Sequence, residues 1–366
     1  MKERLRELDV PDDSGEEKRL EQGGSGEISG DTDERLLSSS PEKYKSAAEM
    51  TEYGRDVAEN TKQDLMARHR EQMGEENVKR LEAHDTRGQV EVLDYQEFHD
   101  RFPNAQPGVI GLYHDGKVYA VNGHQDMVNH TVTHETTHLC SHKENTFTEN
   151  QDGGKQHLYA SGLLRVETNV DPDGARHVSV SNRALNEGLT EMYTIRELTS
   201  RGDWQAANAY QAYSPQRGYC SRLEGILDPG TLEDAYYGGR LDGLKGNVER
   251  LTGDPGAFDR ISLNLSALDN PEQAEAAREA LENDFMAMTE ARFAELSGEE
   301  GAPAGFGASE ITGGAADIPS GETGGIGGSA GETADTGGDL GAGGDTGGRD
   351  GDSGDTGGET GNDDDE

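Results

Sequence analysis

The stretch His134-Glu135-Thr136-Thr137-His138 constrains this chain more than any other. Two histidines four residues apart on a helix are rotated by only about 40°, so both imidazoles leave the same face. A pair so placed can share one metal ion. Zinc accepts neutral imidazole nitrogens and keeps a position for water when only three protein groups hold it. Glu135 can reach that water as a general base. A chain of this composition would carry the pattern by chance roughly 0.04 times. The motif is therefore uncommon, though not decisive alone.

The helix that carries it offers rivals. His130, His134, His138 and His142 recur every four residues along one face. Three of them cannot close around one ion, because each step rises about 6 Å while zinc–nitrogen bonds are near 2 Å. His142 competes as third ligand only if the helix ends after His138. Cys140 follows His138 by two and points to another side. A carboxylate on a second helix is the more usual solution, and Leu185-Asn186-Glu187-Gly188-Leu189-Thr190-Glu191 supplies two on one helix face. One could bind the ion while the other holds a ligating histidine.

With these residues in view, the chain resembles the gluzincins, metallopeptidases in which H-E-x-x-H is followed by N-E-G or N-E-A on a later helix. More narrowly, His134 to about Gly239 is similar to bacterial zincins with a Ser-Gly-Leu element, here Ser161-Gly162-Leu163. They also share a Leu-Asn-Glu-Gly-x-Thr-Glu helix and an Ala-Tyr-Tyr-Gly element, here Ala235-Tyr236-Tyr237-Gly238. The resemblance implies an α+β zincin-like domain with zinc held by His134, His138 and Glu187. It places Glu135 as general base and Glu191 behind the ligands. It also implies a tyrosine at the oxyanion, Tyr236 or Tyr237, with core packing as the other role for either. Two features depart from the pattern. Forty-eight residues separate His138 from Glu187, room for an inserted hairpin, and Thr136-Thr137 stand where hydrophobic residues are usual.

Composition excludes some classes. The formal charge is −40, with 33 basic against 73 acidic residues, so nucleic acid and anionic membranes are poor partners. No run has the length and apolarity of a membrane span, and Met1-Lys-Glu-Arg-Leu-Arg lacks the apolar core of a signal peptide. Cytoplasmic placement is the default expectation, with signal-independent export the alternative. Two cysteines, Cys140 and Cys220, make no disulfide framework and read as reduced thiols.

Along the chain, residues 1–40 are polar and rich in Gly and Ser, and read as disordered. Residues 41–88 show a thin helical stripe, expected as one or two helices lying on a domain or forming an arm. The zincin-like domain is expected over 89–297. It opens with a strand at Val90–Leu93 and a short helix capped by Asp94. A hairpin follows at 109–121 around His114-Asp115-Gly116-Lys117, then the metal helix at about 124–142. Either 109–113 or 118–121 could bind substrate backbone as an added strand. A second hairpin is expected from Leu158–Thr168 and Arg176–Val180, with His157 and His177 on the surface. A helix over Ala184–Thr199 follows, then helices over 204–213 and 219–227 packing under the metal helix, and more to Leu296. Residues 298–366, almost all Gly, Asp, Thr and Ser, read as a disordered acidic tail.

These readings lead to a zinc-dependent peptidase acting on a protein or peptide. Two alternatives are carried: an interaction protein with a structural or idle metal site, and a peptidase effector or toxin delivered to another cell.

Overall fold

The computed structural model describes residues 45–298, apart from 106–107, 151–152 and 212. The ends read above as disordered lie outside the described residues. Helices dominate, with two small sheets, so the chain is of mixed α and β class.

The first helix, α1 (Ala47–Ala83), starts on a capping box. Ser46 Oγ accepts from the Glu49 N–H, and the Glu49 carboxylate accepts from the Ser46 N–H, an arrangement that contributes about 1 kcal/mol. The helix is broken by non-helical backbone at His69 and Gly74. Its apolar residues Leu65, Met73, Val78 and Leu81 join the main core with Leu139, Leu185, Tyr236 and Phe285, while Met50, Val57 and Ala58 pack on Val90, Val128 and Val132. The segment expected at 41–88 therefore lies on the domain and shares its core. The boundary at residue 88 separates no core from another.

A three-stranded sheet follows, in the order β1-β3-β2, from β1 (Val90–Leu93), β2 (Gly111–His114) and β3 (Lys117–Val121). β1 runs parallel to β3, and β2 and β3 form the expected hairpin. Asp115 at φ 50° and Gly116 at φ 76° make its two-residue turn, the left-handed pair that matches strand twist. β3 is central, so 118–121 cannot accept another strand; β2 is the edge. Between β1 and β2 lies α2 (Tyr95–Arg101). Asp94 stands at its N-cap, but the carboxylate makes no capping bond and instead accepts from Asn122 Nδ2 at 3.2 Å.

The helix that carries the H-E-x-x-H motif is α3 (Gln125–Cys140), buried along nearly all its length. A four-stranded meander then replaces the single hairpin expected: β4 (Lys143–Glu149), β5 (Lys155–Ser161), β6 (Leu164–Val170) and β7 (Arg176–Ser181). The strand expected over Leu158–Thr168 is cut at Gly162, whose φ of 59° makes a tight turn pairing Ser161 with Leu164. A Cβ there would lie 2.4 Å from Asn186 Oδ1.

α4 (Arg183–Ser200) crosses α3, followed by α5 (Trp204–Ala207), α6 (Ser214–Ile226), α7 (Thr231–Gly238), α8 (Leu241–Thr252), α9 (Ala257–Ala267) and α10 (Ala274–Ser297). The helix expected over 204–213 stops at Ala207. Trp204 is 61% exposed, and Ala206 and Ala207 make the buried contacts. Cys140 and Cys220 are free, buried thiols, and burial pushes Cys140 up to about 12. No helix among the described residues is long and apolar enough to cross a membrane.

Buried polar groups tie α1 to the site helices. Glu197 of α4, wholly buried, meets Arg68 at 2.6 Å and Arg201 at 2.8 Å. Burial raises its carboxyl while the two guanidiniums pull it back; removing either would leave a poorly compensated charge. Arg80 of α1 reaches the Leu139 and Ser141 carbonyls at 2.9 and 3.1 Å, and so finishes the C-terminus of α3.

His69 stacks on Tyr237 at 4.3 Å between ring centroids. Burial, with the charges of Arg68 and Arg196, lowers its pKa from 6.5 to about 4. The unfolded chain takes this proton near 6.5, so the stability from a neutral His69 is complete above that pH and lost as pH falls toward 4. The thermal midpoint of His69→Phe, which keeps the stacked ring, should fall less between pH 7 and 4.5 than that of the wild type. Parallel melting curves with equal slopes against pH would show that His69 carries no such linkage.

Candidate metal centre

α3 and α4 cross so that one face of each supplies the site. From α3 come His130, His134, Glu135 and His138; from α4 come Glu187, Thr190 and Glu191, at i, i+3 and i+4 on one face. Among the described residues, two groups have ligand atoms within 4.8 Å of one another: His134 with His138 and Glu187, and His130 with His134 and Glu191. His134 belongs to both, one ring nitrogen to each.

Hydrogen-bond accounting decides between them. His134 Nδ1 lies 3.1 Å from Glu191 Oε2, a carboxylate oxygen that accepts. His138 Nδ1 lies 3.4 Å from Thr190 Oγ1, whose own hydrogen goes to the Asn186 carbonyl at 2.9 Å. That hydroxyl also meets Tyr236 OH at 2.7 Å. In the neutral form, with each Nδ1 donating to these oxygens, both imidazoles would turn an Nε2 lone pair to the other side. Those lone pairs face Glu187 Oε2, at 3.5 Å from His134 and 3.2 Å from His138. Three electron-rich atoms so placed need a positive charge among them, which a proton on His134 supplies in the absence of an ion and a metal could replace. Two imidazoles and a carboxylate are a donor set that suits a divalent metal.

The second group is different. His130 Nδ1 donates to the Ala206 carbonyl at 2.9 Å, and its Nε2 lies 3.2 Å from Glu191 Oε2. His130 and Glu191 side chains are 1% and 0% exposed, whereas His134, His138 and Glu187 keep 11%, 12% and 13%. Water reaches the first group and is shut out of the second. Glu191 thus sits behind the first group, in contact with two imidazoles. His130 is part of this arrangement; its i−4 spacing from His134 was visible in the sequence, its partner on another helix was not.

Without an ion, His134 forms charged pairs with its carboxylates. Burial disfavours its protonation, yet the bonds to Glu187 and Glu191 outweigh that and raise its pKa to about 10. Glu187 is correspondingly held far below the carboxylate range, and Glu191 falls to about 2 against its own burial. Glu135 shifts the other way. Burial raises it, the Glu187 charge adds, and His134, His138 and the Tyr113 N–H oppose. A carboxylate with a raised pKa is a better proton acceptor.

Local packing sets Glu135. Tyr113, on the edge strand β2, donates its N–H to the Glu135 carboxylate. Gly111 of the same strand lies so close to α3 that a Cβ would stand 2.4 Å from Thr131 and 2.8 Å from Glu135 Oε1. Of the two unusual threonines, Thr137 Oγ1 donates to the Thr133 carbonyl at 2.8 Å, while the buried Thr136 hydroxyl has no hydrogen-bond partner among the described residues. Back-bonding of this kind satisfies a buried hydroxyl without a partner element.

The tyrosines expected at an oxyanion are core residues. Tyr236 and Tyr237 are both 0% exposed. Tyr236 OH is bonded to Thr190, so it steadies the His138 ring from behind, and Tyr237 is stacked on His69. A third tyrosine, missed in the sequence, lies over the site. Tyr213 stacks on the His134 ring at 6.2 Å, nearly parallel at 17°. Its backbone is left-handed at φ 52°, a strained conformation for a bulky residue, and no residue pattern around it signals that. Burial is the main cause that raises its phenol, and the charges of Glu187 and Glu135 add to it.

His142 joins neither group. It packs against Gly239 and lies 3.9 Å from Glu144. His157 stacks on Phe147, and His177 pairs with Asp171 at the surface.

The accounting gives a ranked expectation. Glu187→Gln should abolish stable metal binding. Thr190→Val and Glu191→Gln should each weaken it about 10- to 100-fold by loosening one imidazole, and His142→Ala should leave it unchanged. Competition titration against a chromophoric chelator measures all four. Full affinity in Glu187→Gln with loss in His142→Ala would overturn the ligand set.

Comparison with known proteins gives no match: no protein-family model, no curated protein and no solved structure is similar to this chain.

Proposed function

We propose that this chain is a zinc-dependent peptidase of gluzincin type, with a zincin-like catalytic domain. The observation that carries the reading is the convergence of two Nε2 atoms and one carboxylate oxygen beside Glu135, at a point water can reach. Two nitrogens and one oxygen suit zinc and leave a position open, as a catalytic site requires. A structural metal site would be closed by a fourth protein ligand. Among the described residues, neither His142 nor His157 converges on the centre, which favours the enzyme over the interaction-protein reading.

His134, His138 and Glu187 would hold the ion, which supplies Lewis acidity that acidifies water and polarises a carbonyl. Glu135 takes the proton of the attacking water at its carboxylate and passes it to the leaving amine. Its raised pKa and the bond from the Tyr113 N–H keep it both basic and aimed. Glu191 and Thr190 hold the two imidazoles in the required tautomer and tilt. The Tyr213 phenol, over His134, is placed to donate to the developing oxyanion in the role earlier assigned to Tyr236 or Tyr237. Because β2 is the edge strand, a substrate backbone running beside the cleft would align there. The substrate is then a protein or peptide in extended form.

Glu135→Gln should keep its zinc and lose peptide hydrolysis, since a carboxamide cannot take a proton. Tyr213→Phe should also keep its zinc, with kcat lowered about 10- to 100-fold and KM little changed. Metal analysis alongside turnover of a quenched-fluorescent peptide mixture reads both. Normal turnover by Glu135→Gln would end the peptidase reading.

A further inference from the structure

Half-buried arginines in this acidic chain are commonly matched by carboxylates. Arg201 meets Asp64 at 3.0 Å and Glu197 at 2.8 Å, and Arg292 meets Asp228 at 2.7 Å. Arg80 and Arg165 are different. The Arg80 guanidinium binds only oxygens without net charge: Asn77 Oδ1 at 2.6 and 2.9 Å, and the Leu139 and Ser141 carbonyls. Arg165 Nη1 donates to the Gly162 and Leu164 carbonyls at 2.9 and 3.1 Å. Among the described residues neither forms an ion pair with a carboxylate.

Both arrive at one place. Ser141, which Arg80 binds, immediately precedes His142. Gly162, which Arg165 binds, donates its own N–H to the His142 carbonyl at 2.8 Å. Lys143, the next residue on β4, donates to Ser161 Oγ across the ladder. Arg80, His142, Lys143 and Arg165 therefore gather around the turn that joins β5 to β6. The acids facing them are Glu144, 3.9 Å from His142 Nε2, and the more distant Asp242, which acts on Arg165. Burial holds both guanidiniums below the ordinary arginine value. Burial also lowers His142, and the charges of Arg165, Arg80 and Lys143 push it further down. Positive charge withdrawn from water without a matching acid is costly, and a bound anion relieves that cost. The cluster is still open to solvent, with the His142 side chain 25% exposed.

The cluster also borders the metal centre. Arg80 grips α3 one residue beyond His138. Lys143 Nζ lies over the Tyr113 ring at 4.5 Å, while the Tyr113 N–H bonds the Glu135 carboxylate. Tyr113 thus has its backbone at Glu135 and its ring at the bases. It belongs to β2, the edge strand of its sheet.

We infer that this cluster is a carboxylate subsite of the cleft, which takes an acidic side chain or a free C-terminus within a few residues of the bond to be cut. The substrate assignment rests on the peptidase reading; the affinity for an oxyanion does not. A guanidinium fork matches the two oxygens of a carboxylate, and two forks already fixed by backbone carbonyls lose little freedom when one binds. The rest of a chain with formal charge −40 repels an acidic peptide, so the cluster would set the register of the substrate as well as its sequence.

Peptides with Glu or Gln at each position around the cut bond, and with free or amidated C-termini, test this through kcat/KM. The zinc-loaded wild type is expected to favour the carboxylate about ten-fold or more at one position, the effect of one charge-assisted hydrogen bond. Arg165→Gln and, separately, Lys143→Met should remove most of that preference, and Arg165→Lys should keep most of it. Thermal midpoints close to that of the wild type show that the variants fold. Calorimetric titration with sulfate reads the site without turnover, and sulfate should bind Arg165→Gln about ten-fold more weakly than wild type. Equal sulfate binding by both would overturn the site. Weaker binding by the variant with no carboxylate preference at any position would make it a site for free anions and overturn the substrate assignment. Weaker binding by the variant while the wild type cuts no peptide would overturn the peptidase reading, and the substrate assignment with it, with the anion site still standing.

Discussion

The hydrogen bonds from His134 Nδ1 to Glu191 and from His138 Nδ1 to Thr190 settle which ring nitrogens face Glu187. Each commits one nitrogen of an imidazole as a donor, so that in the neutral ring the other presents a lone pair. The pair of bonds comes from adjacent residues on α4, one peptide step apart and three and four residues beyond Glu187. A single helix thus supplies the anionic candidate ligand and both orienting groups. Rotating or sliding α4 by a fraction of a turn would break all three contacts together, so the crossing of α3 and α4 is the dimension everything else must protect.

The surrounding architecture reads as that protection. α3 is buried with polar side chains along it, which is costly unless each finds a partner. Thr137 bonds back into its own helix, Glu135 takes a strand N–H, and Arg80 from α1 closes the helix end. α1 therefore does more than cover apolar surface. Gly111 allows β2 to approach within contact of Glu135, where any side chain would push the strand off.

Much of the site could be read from spacing alone, because i, i+4 relations within one helix are fixed by geometry. That rule paired His134 with His138 and Glu187 with Glu191, the motif added Glu135, and the structure gathers all five. What spacing cannot give is which residues from other elements arrive beside them. Thr190 was in plain view but carries no charge to mark it. Tyr213 reaches His134 through strained backbone that no pattern announces. Tyr236 and Tyr237 illustrate the converse, since a motif position says nothing about burial and both phenols face inward. The fold shows the same division. The tight hairpin at Asp115-Gly116 and the long helices were legible from local chemistry. The meander was half-missed because Gly162 breaks what looks like one strand, and β4 has no apolar alternation to reveal it.

That meander also explains the long interval between His138 and Glu187. Its stems converge on one turn: the Gly162 N–H donates to the His142 carbonyl, Asn182 donates to the Leu163 carbonyl, and the Leu163 N–H donates to Asn186. The chain leaves the site and returns to it through a single clasp held by the residue preceding Glu187. No residue of the meander belongs to either candidate ligand group. Loop-closure cost grows only slowly with length, so strands could be added or trimmed there while the two helices kept their crossing. The interval is then a poor yardstick of kinship. A search for proteins built this way should fix the two helical motifs and the Gly-Leu clasp, and let the gap between them float.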